Sequence, residues 1–175
     1  MALPPSRLSR ELRLGTGPDL RRRRWILGLS LLGTLMAQVV TLFQMGLVRR
    51  LPDPPVGPFD SSRVDASDYA YRRLQMPDGA LMLLTYATTA MLAAAGGHDR
   101  ARRNPALPLA LAAKTGWDTM SCLRLAREEW GENRAFCVYC QTATLASATS
   151  LALALPEAAR AFGALTGRRG ATARR

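Results

Sequence analysis

Trp25 to Val48 is a run of 24 residues without a charged side chain. A helix rises about 1.5 Å per residue, so about 20 such residues cross a hydrocarbon core of roughly 30 Å. Gly79 to Gly97 is uncharged over 19 residues and Ala135 to Pro156 over 22, the latter Leu- and Ala-rich with interleaved Ser and Thr that allow close helix packing. A fourth segment, Pro105 to Leu125, carries Lys114 and Asp118. Their spacing of four puts them on one helix face, where an inward ion pair is the usual way such charges are tolerated at membrane depth. The mean hydropathy of −0.03 conceals these runs by averaging them against very basic ends. The expected fold is all-α, a polytopic membrane four-helix bundle with spans at about 25–48, 79–97, 105–125 and 135–156. One membrane domain, 25–160, is the economical reading for 175 residues.

The net charge of +11 would point to nucleic acid if it covered one soluble face. Instead it alternates with the spans. Residues 1–24 hold seven Arg against Glu11 and Asp19, the 98–104 loop holds Arg100, Arg102 and Arg103 against Asp99, and residues 168–175 hold four Arg. Residues 49–78 balance five Arg with five Asp, and 127–134 has two Arg and three Glu. Positive-inside bias then predicts cytoplasmic termini and a periplasmic or equivalent face for the 49–78 loop and the 127–134 turn, with no nucleic-acid partner needed. The expected address is a multi-pass protein of a bacterial inner membrane.

The first apolar run is longer than a signal-peptide core and lacks a small-x-small site after it, so it is expected to be retained. Residues 1–24, with Pro4, Pro5 and Pro18 among the arginines, are expected to form a disordered basic arm, and 161–175 a basic tail. In the outer loop, Leu51 to Pro58 is too proline-rich for a regular helix. Ser67 to Leu74 suits a short interfacial helix with its Tyr residues at headgroup level, and Pro77 opens the second span. Trp25 and Trp130 fit interfacial anchors.

Chemistry concentrates at Cys137 and Cys140, which fall at the amino end of the fourth span on the non-cytoplasmic side. A helix amino end stabilises a thiolate through its partial positive charge and unpaired N–H groups. Two thiols three apart can close a disulfide and so carry two electrons. A structural zinc would need about four ligands, whereas only Cys122 and the distant His98 remain, and a c-type haem would need His where Gln141 stands. The bland alternative is a pair of buried, inert cysteines. The residues thus suggest a membrane thiol oxidoreductase in a disulfide-permissive compartment, with a lipid-soluble quinone as the obvious two-electron acceptor.

Residues 25–160 resemble the vitamin K epoxide reductase family, membrane quinone reductases that oxidise protein thiols. Ala135 to Thr144, AFCVYCQTAT, is similar to the family's fourth helix with its active-site pair. Ser61 to Ser67, SSRVDAS, is similar to the outer-loop pattern Cys-Ser-x-Val-x-x-Ser, with Ser61 where the loop's second cysteine would be. Residues 49–78 contain no cysteine, so the family's loop relay cannot operate. Pro77 to Tyr86 is similar to Pro-Asn-Ala-x-x-Gly-x-x-x-Tyr, with Asp78, Gly79 and Met82 replacing Asn, Ala and Gly.

The resemblance implies Cys137 and Cys140 as the catalytic pair, Cys140 facing the quinone (ubiquinone or menaquinone) and Cys137 exchanging with an outer-side protein or small-molecule thiol. It places Asp78 near a quinone carbonyl, where only a protonated Asp could donate a hydrogen bond as Asn does. Tyr86 and Thr144 fall at the same site, Thr144 where the family often has Tyr. Cys122, near the same outer face, is a candidate resolving thiol or an inert core cysteine, and Lys114 with Asp118 a structural pair or a polar cavity floor. No metal is expected. The competing function is a non-catalytic four-helix membrane protein that binds a quinone or lipid and has lost the relay.

Overall fold

The computed structural model of the protein describes residues 4–172, with side chains through Gly167; Arg168, Arg169, Arg174 and Arg175 of the basic tail lie outside the described side chains. In chain order the helices are α1 (Pro5–Leu14), α2 (Pro18–Gln44), α3 (Ser61–Asp65), α4 (Asp68–Tyr71), α5 (Asp78–Ala94), α6 (Arg100–Arg103), α7 (Ala106–Asn133) and α8 (Val138–Thr172). There is no strand among the described residues, only a single bridge between Phe59 and Phe136.

The four long helices close a ring: α2 packs on α5 and α8, and α7 packs on α8 and α5. Two of them, α2 and α8, are long and apolar enough to cross a membrane, whereas α5 is shorter at 17 residues. In α7, Lys114 and Asp118 interrupt the apolar run and pair with each other. The outward faces of all four are nonetheless apolar, with Leu35 and Leu42 on α2, Leu84 and Met91 on α5, Trp117 and Met120 on α7, and Leu145 and Leu155 on α8 left exposed.

Helix ends differ from the sequence expectation, and named contacts explain why. The amino-terminal segment is helical over most of its length: α1 occupies 5–14, and α2 begins at Pro18, whose missing N–H costs nothing at a first helical position. Arg23, in the second turn of α2, is buried and donates to the carbonyls of Ala93, Ala94, Ala95, Gly96 and Gly97 at 2.8–3.2 Å. Ala93 and Ala94 hold the last carbonyls of α5, which no intrahelical donor reaches, and the other three follow directly after the helix. Arg100 forks onto Glu157 with two contacts of 2.8 Å and also donates to Leu92 and Ala95 at 2.7 Å. Pro156, expected to end the last span, lies inside α8 instead. Proline removes one ladder bond, but the buried Arg100–Glu157 pair anchors the turn that follows it.

At the opposite end α7 overruns its expected limit by two turns. Its acidic residues there bind the outer loop, Glu132 to Arg72 at 2.7 Å and Glu128 to Arg73 at 2.9 Å. The outer loop holds two short helices rather than one. The unforeseen one, α3, is capped by Asp60, whose carboxylate accepts the Arg63 N–H at 3.1 Å.

At Gly33 α2 comes into close contact with Tyr86 of α5. A Cβ there would lie 2.4 Å from the Tyr86 ring, which cannot swing aside because its hydroxyl is held on α8 by the Ala143 carbonyl at 2.6 Å. Gly33→Ala should therefore lower the thermal midpoint in detergent, at an overpacking cost of about 1–3 kcal/mol. Gly131→Ala, with nothing within 4 Å of its added Cβ, should leave the midpoint unchanged or raise it.

Candidate functional site

Cys137 is the residue before the first turn of α8, and it caps that helix. Its Sγ accepts the Cys140 N–H at 3.2 Å and its carbonyl accepts the Gln141 N–H at 3.0 Å. Two further amides at this helix start, those of Cys137 and Val138, are taken by side chains from elsewhere in the fold. The Glu129 carboxylate of α7 accepts the Cys137 N–H, and its second oxygen accepts the Gln141 side-chain amide at 3.0 Å. Ser61 Oγ, at the start of α3, accepts the Val138 N–H at 3.0 Å, and the Asp53 carboxylate accepts the Ser61 N–H at 2.9 Å. The position matched to a loop cysteine thus packs directly against the thiol pair.

The segment 58–60 lies over the same junction, with Asp60 N–H donating to Phe136 at 3.1 Å and Phe136 N–H to Pro58 at 2.8 Å. Trp130 stacks on Phe136 with ring centroids 5.1 Å apart. Cys137 is consequently sealed, 0% exposed. Both thiols face Asp65, the last residue of α3: Cys137 Sγ donates to Oδ2 at 3.1 Å, and Cys140 Sγ lies 3.9 Å from Oδ1. The three donor atoms lie within 4.8 Å of one another, one ligand short of the four that a structural zinc takes.

Cys140 opens on a cavity of about 280 Å³ between α5, α7 and α8. Lys114, Trp117, Asp118, Ser121, Cys122, Leu125, Ala126 and Glu129 form its α7 wall, one stripe of that helix at three- and four-residue spacing. At 1.5 Å per residue that stripe is about 22 Å long. Asp78, Tyr86 and Thr144 also line the cavity, so the candidate catalytic and quinone-site residues, apart from the sealed Cys137, meet around one space. Their polar groups are not equally free. The Asp78 carboxylate accepts the Gln44 side-chain amide at 2.7 Å. The Tyr86 hydroxyl lies 2.6 Å from the Ala143 carbonyl and 2.9 Å from Ser147 Oγ, so its single proton is committed to α8. Thr144 likewise donates to the Cys140 carbonyl at 2.9 Å. Lys114 uses its ammonium on the Thr85 carbonyl, Thr89 and Asp118.

Asp65, Glu129 and Gln44 were not singled out by sequence. Asp65 and Glu129 read there as ordinary loop and turn charges, and nothing local signals that the chain folds them inward. The only available hint for Asp65 was its place inside the SSRVDAS match. Burial pushes the Asp65 carboxyl up to about 7, opposed by the thiol hydrogen bond from Cys137 and reinforced by the nearby Asp78 and Glu129 charges. Burial also pushes Glu129 up to about 7, against the hydrogen bonds it accepts from Cys137 and Gln141.

A membrane protein with two apolar spanning helices and a paired-thiol site at a helix amino end is the class this geometry defines. The family model described as the vitamin K epoxide reductase family matches residues 24–155, and the chain belongs to that family. It is a family of membrane thiol oxidoreductases that are quinone-linked in general. No curated protein and no solved structure matches the chain.

The two raised carboxyls carry a sign that can be tested. Each binds a proton in the folded protein over a range, about 4 to 7, in which the unfolded chain has released it. Stability contributed by these groups is therefore greatest at low pH and falls as pH rises through that window. The thermal midpoint in detergent should drop between pH 5 and pH 8, and the Asp65→Asn, Glu129→Gln double variant should flatten the drop. A wild-type midpoint that climbs over this interval would contradict the assignment.

Proposed function

We propose that the protein is a quinone-linked thiol oxidoreductase whose Cys137 and Cys140 pass two electrons to a quinone in the cavity beside Cys140. The observation that carries this reading is the placement of the pair: Cys140 lines a long, mostly apolar cavity while Cys137 stands behind it, one helical turn away at the helix cap. A cavity of about 280 Å³ lined by a stripe of α7 about 22 Å long, with polar groups at both ends of that stripe, suits a flat ring with an apolar tail. All four long helices cross the membrane in this reading, as their apolar outward faces support. In this reading both termini lie in the cytoplasm and the cysteines near the periplasmic face of a bacterial inner membrane, which the alternation of charge along the chain supports.

Ubiquinone or menaquinone, when bound, supplies the two-electron acceptor. The protein's residues orient it and manage the thiols. Asp78 faces the cavity with its carboxyl held by the Gln44 amide, and when it holds a proton it can donate to a quinone carbonyl. Tyr86 acts as a wall and not as a donor, its proton being held by α8. Thr144 and Cys122 contribute lining in the same way.

Cys137 meets an outer-side thiol or disulfide only after the 58–65 segment lifts, breaking the two backbone hydrogen bonds at Phe136. Since residues 49–78 hold no cysteine, that exchange is direct and not relayed. The competing non-catalytic reading has the missing relay in its favour, but it gives no role to a cavity that ends on one thiol of a pair.

The test is dithiothreitol-dependent quinone reduction by purified protein. Cys137→Ser and Cys140→Ser should each remove it, while Cys122→Ser keeps it; full activity in both of the first two variants would end this reading. Asp78→Asn, which retains a donor, should keep most of the activity. Asp78→Ala should raise KM for quinone about tenfold, the worth of one hydrogen bond at about 1.4 kcal/mol.

A further inference from the structure

We infer that Asp65 is the proton acceptor for Cys137, a catalytic carboxylate that stands against the sealed face of the thiol pair and takes over the Cys137 proton as the disulfide closes. The inference rests on the thiol-oxidoreductase reading above. Cys137 Sγ donates to Asp65 Oδ2 at 3.1 Å, and Cys140 Sγ approaches Oδ1 at 3.9 Å, so one carboxyl spans both sulfurs. Asp65 is itself wholly buried. An acid in such a place must have a partner or a task, and no basic side chain pairs with it among the described residues.

The groups around it are all of one kind. Cys137 and Cys140 face it from the start of α8, Asp78 from α5 and Glu129 from α7, the Tyr71 phenol of α4 and the Tyr139 phenol of α8 lie near enough to feel its charge, and from α2 the Gln44 side-chain amide reaches only its backbone carbonyl, at 3.5 Å. Burial and the two neighbouring carboxyls hold its affinity for a proton near 7, within reach of exchange with a thiol. The same surroundings discourage a permanent Asp65 anion, so the carboxyl is poised to accept a proton and not to form a salt bridge.

The chemistry balances. A dithiol plus a quinone gives a disulfide plus a hydroquinone: two S–H bonds break, one Sγ–Sγ bond forms, and two electrons and two protons are transferred. Closing the bond requires the Cys137 thiolate to attack Cys140 Sγ once that sulfur, having lost its own proton, is bonded to the oxidant, so that the sulfur–oxidant bond breaks as the Sγ–Sγ bond forms and its electron pair leaves with the oxidant. Asp65 receives the Cys137 proton at that moment and holds it until it passes to the hydroquinone. The Cys140 N–H, already aimed at Cys137 Sγ at 3.2 Å, stabilises the thiolate that is left.

The experiment leaves quinone out, so that it separates this inference from the quinone reading. Diamide closes the pair in purified, reduced protein between pH 5 and pH 9, and acid-quenched mass spectrometry follows the Cys137–Cys140 disulfide. The wild-type rate should rise through an inflection near pH 7. Asp65→Asn should slow closure on the order of 100-fold at neutral pH and move the inflection to alkaline pH, with Asp65→Glu restoring part of both. A folded Asp65→Asn protein with the wild-type rate and profile overturns the inference, even if quinone reduction is intact.

Should Asp65→Asn fail to fold, infrared difference spectra of the unmodified protein with 13C-aspartate decide the matter. An aspartate carboxyl band that changes between the dithiol and disulfide forms near pH 7 supports the proton transfer, and the absence of any such band refutes it. If closure shows this pH dependence while quinone reduction is absent, the quinone reading falls and the proton acceptor stands.

Discussion

The thiol pair depends on how the start of α8 is held. Three amides at that helix start are satisfied by side chains, two of them by groups brought from elsewhere, Glu129 from α7 and Ser61 from α3, and the third by the Cys137 sulfur itself. Each contact fixes a different piece of the fold against the same few atoms. Glu129 joins α7 to α8, Ser61 brings the outer loop down, and the cap sets the Cys137 sulfur one turn from Cys140. Buried carboxylates and a buried hydroxyl would be costly without these partners, so the loop, the helix start and the thiols form one mutually dependent unit.

The opposite end of the helices is organised by arginine. Arg23 closes the carboxyl end of α5 and Arg100 locks Glu157 of α8, which together fix the mutual position of α2, α5 and α8 far from the cysteines. Part of the basicity that reads as a cytoplasmic charge bias is thus structural. The two roles are compatible, because a guanidinium has enough donors to neutralise several carbonyls while its charge still favours the cytoplasmic side.

Much of this was legible in the sequence, because the signals involved are local. Long uncharged runs located three of the long helices and an apolar run interrupted by Lys114 and Asp118 the fourth, and the spacing of those two residues anticipated their ion pair. The short AFCVYCQTAT and SSRVDAS stretches carried the family. Helix ends were less legible: α2 begins among charged residues, α7 runs two turns past its apolar part, and α8 passes through Pro156, each for the sake of a tertiary contact no local pattern reveals. The site residues were legible as far as they stand in a motif. Asp65 and Glu129 were not, since an acidic residue in an outer loop is ordinarily solvated, and only the fold turns these two toward the sulfurs.

The central claim is that Cys137 and Cys140 exchange two electrons with a quinone. Alkylation mass spectrometry on isolated membranes, acid-quenched and unfolded before labelling, reads the redox state of Cys122, Cys137 and Cys140 separately with and without added ubiquinone or menaquinone. The account predicts that quinone converts Cys137 and Cys140 from labelled thiols to a disulfide. Thiols that remain fully labelled with both quinones would contradict it and favour a non-catalytic, binding role for the same cavity.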